Sequence, residues 1–122
     1  MPSDAAEARS IVAALLNAAP GTVGSPVGGT ARADILLVTS ELITNAFRHG
    51  GGLTGFDAEL GRDGMTLTVG DASDDVPRTA PSHSAMSEGG FGWELVCLLA
   101  DQVSVTLHPD GGKSIRVRLP LT

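Results

Sequence analysis

Two polar side chains on an otherwise apolar helical segment, Glu41 and Asn45, are the residues whose types and spacing first suggest chemistry. They are four positions apart, so on a helix they lie on the same side, one turn from each other. They present a carboxylate oxygen and a carboxamide oxygen next to one another. Because Mg²⁺ takes oxygen ligands and keeps several waters, one or two such groups can hold it beside a phosphate. An isolated Glu-x-x-x-Asn pattern is, however, more often the solvated edge of an amphipathic helix.

The helix that must position this pair is predicted to begin at Thr30, as its cap, and to run to about His49. Its apolar residues fall on two neighbouring stripes, which predicts a wide buried face. The stripes are formed by Ile35, Leu42 and Ala46, and by Leu36, Ile43 and Phe47. Glycines at positions 50–52 are predicted to end the helix, because glycine accepts the left-handed cap conformation.

The remaining elements place this helix in an α+β fold. A first helix is predicted to begin at Ser3 or Asp4, with Glu7 as capping partner and Pro20-Gly21 as its end. Strands are predicted over residues 53–60, 65–69, 102–108 and 114–119, and a third helix over 93–100. Helices combined with hairpin-connected strands predict a two-layer α/β sandwich, with the helices on one face of a mixed, mostly antiparallel sheet.

Length and composition limit the classes of function. The 122 residues are predicted to form a single domain over 1–122, and the net charge of −6 argues against a nucleic-acid partner. No apolar run approaches a membrane span and the first residues lack a signal peptide, so we expect a cytoplasmic protein without a membrane partner. The single cysteine, Cys97, excludes an internal disulfide and is expected to be a small buried hydrophobe.

Further polar and glycine residues stand where the predicted strands and helices end. A carboxylate at Asp71 can accept a hydrogen bond from the exocyclic amine of adenine, and Ser73 and Ser114 can extend that network. Alone, Asp71 is more typical of a turn. Glycines at positions 89, 90 and 92 precede a helix, where backbone N–H groups and the helix dipole favour an anion, although an ordinary hinge also explains them. The proline-rich and serine-rich residues 72–88 between these features are predicted to be a functional loop or lid.

Other phosphate and catalytic motifs are excluded by spacing. Gly112-Lys113-Ser114 lacks the earlier glycine of a P-loop, and Gly90-x-Gly92 lacks the third glycine of a dinucleotide fingerprint. The histidines are too scattered for a zinc site, and no serine-nucleophile motif occurs.

In their order along the chain these features resemble the GHKL-type ATPases of gyrase, heat-shock chaperones and histidine kinases. The matching motifs are the N box at residues 41–50, the G1 box at 69–73, the G2 box at 90–96 and an adenine-side element at 112–114. The resemblance extends from Ala8 onward. It is strongest to the small stand-alone branch, which contains the anti-sigma-factor serine/threonine kinases and related bacterial regulatory proteins.

The resemblance implies a role for each matching residue. Glu41 would be the catalytic base or would orient the attacking hydroxyl, and Asn45 would ligate Mg²⁺. Asp71 would contact the adenine amine, with Ser114 supporting it through water. Backbone groups of the G2 box would wrap the phosphates, and the rest of the expected nucleotide-binding set is Arg48, His49, Ser73, Gly90, Phe91, Gly92 and Trp93.

The resemblance therefore implies a bacterial regulatory protein that binds ATP and Mg²⁺ and acts as an anti-sigma-factor-type serine/threonine kinase on an antagonist protein. In the branch it resembles, the kinase phosphorylates a serine or threonine of a small antagonist protein and itself binds a sigma factor. The alternatives are a catalytically quiet nucleotide-binding module that acts through protein–protein contacts, and a nucleotide-free interaction domain. The oligomeric state, including a homodimer, stays open.

Overall fold

Three helices and four strands make up the parts of the chain that the computed structural model describes, residues 1–18, 28–76 and 92–121. The helices are α1 (Ala5–Ala18), α2 (Gly29–Arg48) and α3 (Gly92–Leu99). The strands are β1 (Leu53–Leu60), β2 (Gly64–Asp71), β3 (Gln102–Leu107) and β4 (Lys113–Pro120). Each predicted helix and strand is confirmed, with bounds that differ by at most two residues where both ends are described. The predicted stop at Pro20-Gly21 and most of the predicted lid lie outside the described residues.

The four strands form one sheet in the order β1-β2-β4-β3, and every neighbouring pair is antiparallel. The last strand therefore lies in the middle of the sheet, next to β2. Side chains alternate along a strand, so one face of β2 and β4 is apolar and buried. That face packs with residues from all three helices into a single core, which confirms the predicted α+β sandwich.

The α1 helix begins as predicted. The carboxylate of Asp4 accepts the backbone N–H of Glu7 at 2.8 Å, and the hydroxyl of Ser3 donates to the Glu7 carboxylate at 2.9 Å. The first contact is the cap that the sequence suggested, whereas in the second Glu7 reaches back to the side chain of Ser3 and not to the backbone N–H of Asp4.

The start of α2 corrects a prediction, because Gly28 and not Thr30 is the capping residue and no side chain caps the helix. The N–H of Gly28 donates to the carbonyl of Leu121 at 3.3 Å, and its carbonyl accepts the N–H of Arg32 at 2.9 Å. Contact with the chain after β4 thus fixes where α2 begins, which local sequence does not reveal. The predicted glycine stop is confirmed, since Gly51 and Gly52 have φ of 73° and 120°.

Two residues predicted to be buried are exposed. Phe47 is 45% exposed on α2, and Cys97 is exposed on α3. α3 has only eight residues and buries the side that carries Gly92 and Val96, so Cys97 turns outward. None of the helices in the described residues has the length and apolarity needed to cross a lipid bilayer.

The position of Cys97 predicts its reactivity. Maleimide should label it in the folded protein, because its side chain is exposed. Partial burial raises the pKa of the Cys97 thiol above its ordinary 9.0, so at neutral pH labelling should be slower than for a free thiol and should accelerate as the pH rises. Mass spectrometry of native and urea-unfolded samples measures both rates. Labelling that occurs only after unfolding would place Cys97 in the core instead.

Candidate functional site

The N-terminus of α3 lies against the side of α2 that carries Glu41 and Asn45. Gly92, the first residue of α3, is buried, and a Cβ atom on it would overlap Oε2 of Glu41. The same Cβ position is 3.8 Å from Nδ2 of Asn45. The structure therefore brings together these three residues, which the sequence analysis drew from two separate motifs.

This α2–α3 junction combines groups that suit a phosphate and a cation. Glu41 and Asn45 are both partly exposed, and they supply the oxygens that Mg²⁺ prefers. The first N–H groups of α3 and its dipole favour an anion at the same place. Within the described residues no three or more His, Cys, Asp or Glu side chains cluster as a metal site. The donor set fits a Mg²⁺ ion that takes most of its ligands from phosphate and water.

Asp71, at the end of β2, forms a buried ion pair with Lys113, its cross-strand partner on β4. Nζ of Lys113 lies 2.9 Å from Oδ1 of Asp71, and each side chain is 4% exposed. The same Oδ1 accepts the N–H of Ser73 at 3.0 Å, and Nζ also donates to the Ser73 carbonyl at 3.3 Å. These contacts join the end of β2, the residues after it and the start of β4 into one polar cluster.

Glycines enclose this cluster from two sides. A Cβ atom on Gly50, just after α2, would lie 2.6 Å from Oδ2 of Asp71, so the bare backbone there allows the close approach. The N–H of Ala72 donates to the Gly50 carbonyl at 2.8 Å and fixes that approach. On the other side, the N–H of Gly112 donates to the Asp74 carboxylate at 2.7 Å. Asp71 is thus held between the end of α2 and the turn that joins β3 to β4.

A family model described as a histidine kinase-like ATPase domain matches residues 1–119. The chain belongs to this family. The ATPase domain explains the GHKL-type resemblance and implies ATP as the ligand, usually bound with Mg²⁺. No curated protein matches the chain significantly.

Ser114 of the ATPase domain does not lie with Asp71. It is paired with Gly70 across the sheet, so its side chain faces the side opposite the helices. Its hydroxyl lies 2.9 Å from Nε2 of His108. The residue beside Asp71 is Lys113, which lies in the predicted adenine-side element 112–114 but was not itself predicted to be a site residue. The alternation of β4 would have found it, because Lys113 stands two positions before Ile115 and shares its buried face.

The other predicted site residues divide into three groups. Arg48 and His49 are exposed at the end of α2, close to the glycines that cover Asp71. Trp93 is partly buried and packs against the core. Gly90 and Phe91 lie outside the described residues.

The tight fit of Gly92 predicts a difference between two glycine substitutions at helix starts. Gly92→Ala should lower the free energy of unfolding by up to about 1 kcal/mol, because the new methyl group must displace the flexible end of the Glu41 side chain from the first turn of α3, where its carboxylate is stabilising. Gly29→Ala at the start of α2 is the matched control, since a Cβ there meets nothing within 4 Å. It should be neutral or stabilising by up to about 1 kcal/mol. Urea unfolding measures both, and equal effects of the two substitutions would show that the α2–α3 contact is loose.

Proposed function

We propose that this ATPase domain binds ATP with Mg²⁺ at the α2–α3 junction and transfers the γ-phosphoryl group to a serine or threonine of a partner protein. The single observation that carries the proposal is the meeting of Glu41, Asn45 and the N-terminus of α3. A base, a metal ligand and a set of phosphate donors then stand together in a domain whose family implies ATP.

Each part of the nucleotide has a matching group in the proposal. The triphosphate lies at the first turn of α3, where backbone N–H groups donate to it. Asn45 contributes an oxygen ligand to Mg²⁺, which when bound neutralises phosphate charge. Asp71 accepts a hydrogen bond from the adenine amine. Arg48 and His49, exposed at the end of α2 just before Gly50, add polar groups near Asp71.

In the proposed reaction, Glu41 holds the acceptor hydroxyl in line with the γ-phosphorus. As the new oxygen–phosphorus bond forms, the bond from the γ-phosphorus to the bridging oxygen breaks, and ADP leaves with that electron pair. The hydroxyl proton passes to the Glu41 carboxylate. The protein's main contributions are positioning and charge stabilisation, as in other phosphoryl transfers.

The partners in the proposal come from the resemblance to anti-sigma-factor kinases. The phosphoryl acceptor is an antagonist protein, the regulated partner is a sigma factor, and the compartment is the cytoplasm. The net charge of −6 supports protein partners over nucleic acid.

A second candidate function is a nucleotide-dependent binding module without turnover. It is favoured by the contact between Glu41 and Gly92, because a carboxylate at a helix N-terminus stabilises that helix whether or not it acts as a base. In this case nucleotide binding at the α2–α3 junction would change partner affinity only.

Two measurements separate these functions. Calorimetry with ATP and Mg²⁺ should show binding, and its absence would reject both. Incubation with γ-labelled ATP and candidate antagonist proteins should then give labelled serine or threonine. Binding without transfer to any candidate would reject the kinase and favour the module.

A further inference from the structure

Lys113 is the only lysine in the chain, and it is buried. Lysine is almost never fully buried unless it is paired, and here the partner is the Asp71 carboxylate at 2.9 Å. A solvated surface is the usual place for a lysine on a two-layer fold. This position instead directs the ammonium group of the single lysine into the cluster that holds Asp71.

The contacts of the pair leave a defined pattern of donors and acceptors. An ammonium group has three N–H donors, of which one is directed to Oδ1 of Asp71 and one to the Ser73 carbonyl. Oδ1 accepts from both Lys113 and the Ser73 N–H, whereas Oδ2 lies on the side of Gly50. The Lys113 ammonium thus lies at the Oδ1 end of the carboxylate, and Oδ2 remains on the side of Gly50.

We propose that Lys113 determines base specificity, its third N–H donating to N1 of adenine while Oδ2 of Asp71 accepts from the neighbouring 6-amino group. The inference rests on the proposed function, because it concerns the base of the same nucleotide. An adjacent acceptor and donor complement the amino group and ring nitrogen of the Watson–Crick edge of adenine. The ion pair orders both groups before the nucleotide arrives, which reduces the entropy lost on binding.

The test replaces single atoms of the ligand. Calorimetry of the wild-type protein with Mg²⁺ compares ATP with 1-deaza-ATP, which lacks N1, and with 7-deaza-ATP, which keeps it. Loss of a hydrogen bond from a charged donor should weaken 1-deaza-ATP by about tenfold to a hundredfold. The affinity of 7-deaza-ATP should equal that of ATP.

The variant Lys113→Met tests whether Lys113 causes the difference in affinity between ATP and 1-deaza-ATP. Lys113→Met should weaken ATP and should bind ATP and 1-deaza-ATP equally, which a purely structural lysine would not cause. Arg116→Met is the matched control, since it removes one positive charge from the outer face of the same strand. It should keep the full difference between the two ligands.

If Lys113→Met does not fold, the wild type still decides, because the single lysine gives one lysine ¹⁵Nζ signal in NMR spectra. That signal should shift with ATP and much less with 1-deaza-ATP. Equal affinities of the two ligands for the wild type, a difference that persists in Lys113→Met, or tighter ATP binding by Lys113→Met would each overturn the inference. Failure of all three nucleotides to bind would reject the proposed function itself.

Discussion

Glu41→Gln should lower the rate of phosphoryl transfer to the partner protein by about a hundredfold to ten-thousandfold, the range that general-base catalysis contributes. Glutamine keeps the size and the packing of the side chain against Gly92 but cannot accept the hydroxyl proton. ATP affinity should therefore be unchanged. Single-turnover transfer of labelled phosphate measures the rate, and calorimetry measures the affinity.

The control for this substitution is Glu59→Gln, which makes the same chemical change at an exposed position on β1. It should leave both transfer and affinity unaltered. Undiminished transfer in Glu41→Gln would remove Glu41 from the role of base. A parallel loss of ATP affinity and stability would instead show that its main role is to hold the start of α3.

Asp71→Asn should lower the free energy of unfolding by about 3–5 kcal/mol, because it leaves the buried ammonium of Lys113 without its countercharge. From the sequence alone we would expect this change to weaken ATP binding with little effect on stability. The buried ion pair alters that expectation, since the same carboxylate serves folding and ligand binding. Urea unfolding in the absence of nucleotide measures the stability.

Two further variants test whether loss of the Asp71–Lys113 ion pair causes the lower stability of Asp71→Asn. Asp75→Asn, at an exposed carboxylate after β2, should change stability little. The double variant Asp71→Leu with Lys113→Met should recover much of the loss, because apolar replacement of a whole buried ion pair is often neutral or stabilising. If Asp71→Asn unfolded at the same urea concentration as Asp75→Asn, the pair would have no structural role.

Most of the secondary structure could be predicted from the sequence, because hydrophobic periodicity is strong in this chain. The alternation of Ile115, Val117 and Leu119 with Arg116 and Arg118 defines β4, and all three apolar residues are buried. The features that the sequence predicted wrongly, such as the start of α2, depend on tertiary contacts. Contact with Leu121, the residue after β4, makes Gly28 and not Thr30 the residue that caps α2.

The residues of the α2–α3 junction could be predicted from the sequence, because each helix carries a recognisable pattern. These patterns are Glu41 and Asn45 at helical spacing on α2, and the glycines that precede α3. The Asp71–Lys113 pair could not be predicted, because its members are 42 positions apart and meet only through the register of β2 and β4. The local sequence around either residue does not predict that the other is its partner. The placement of Ser114 on the opposite face follows from the same register.

The position of β4 between β2 and β3 has a consequence for how the protein is made. A nascent chain that ends before β4 lacks the strand that pairs with both β2 and β3, and it also lacks Lys113, the cation that pairs with Asp71. Pairing β4 with β2 brings together strands that are far apart in the sequence, and this costs chain entropy. Formation of the helices and of the β1–β2 hairpin involves only local contacts and does not carry that cost. The ability to bind nucleotide should therefore arise only after β4 has left the ribosome.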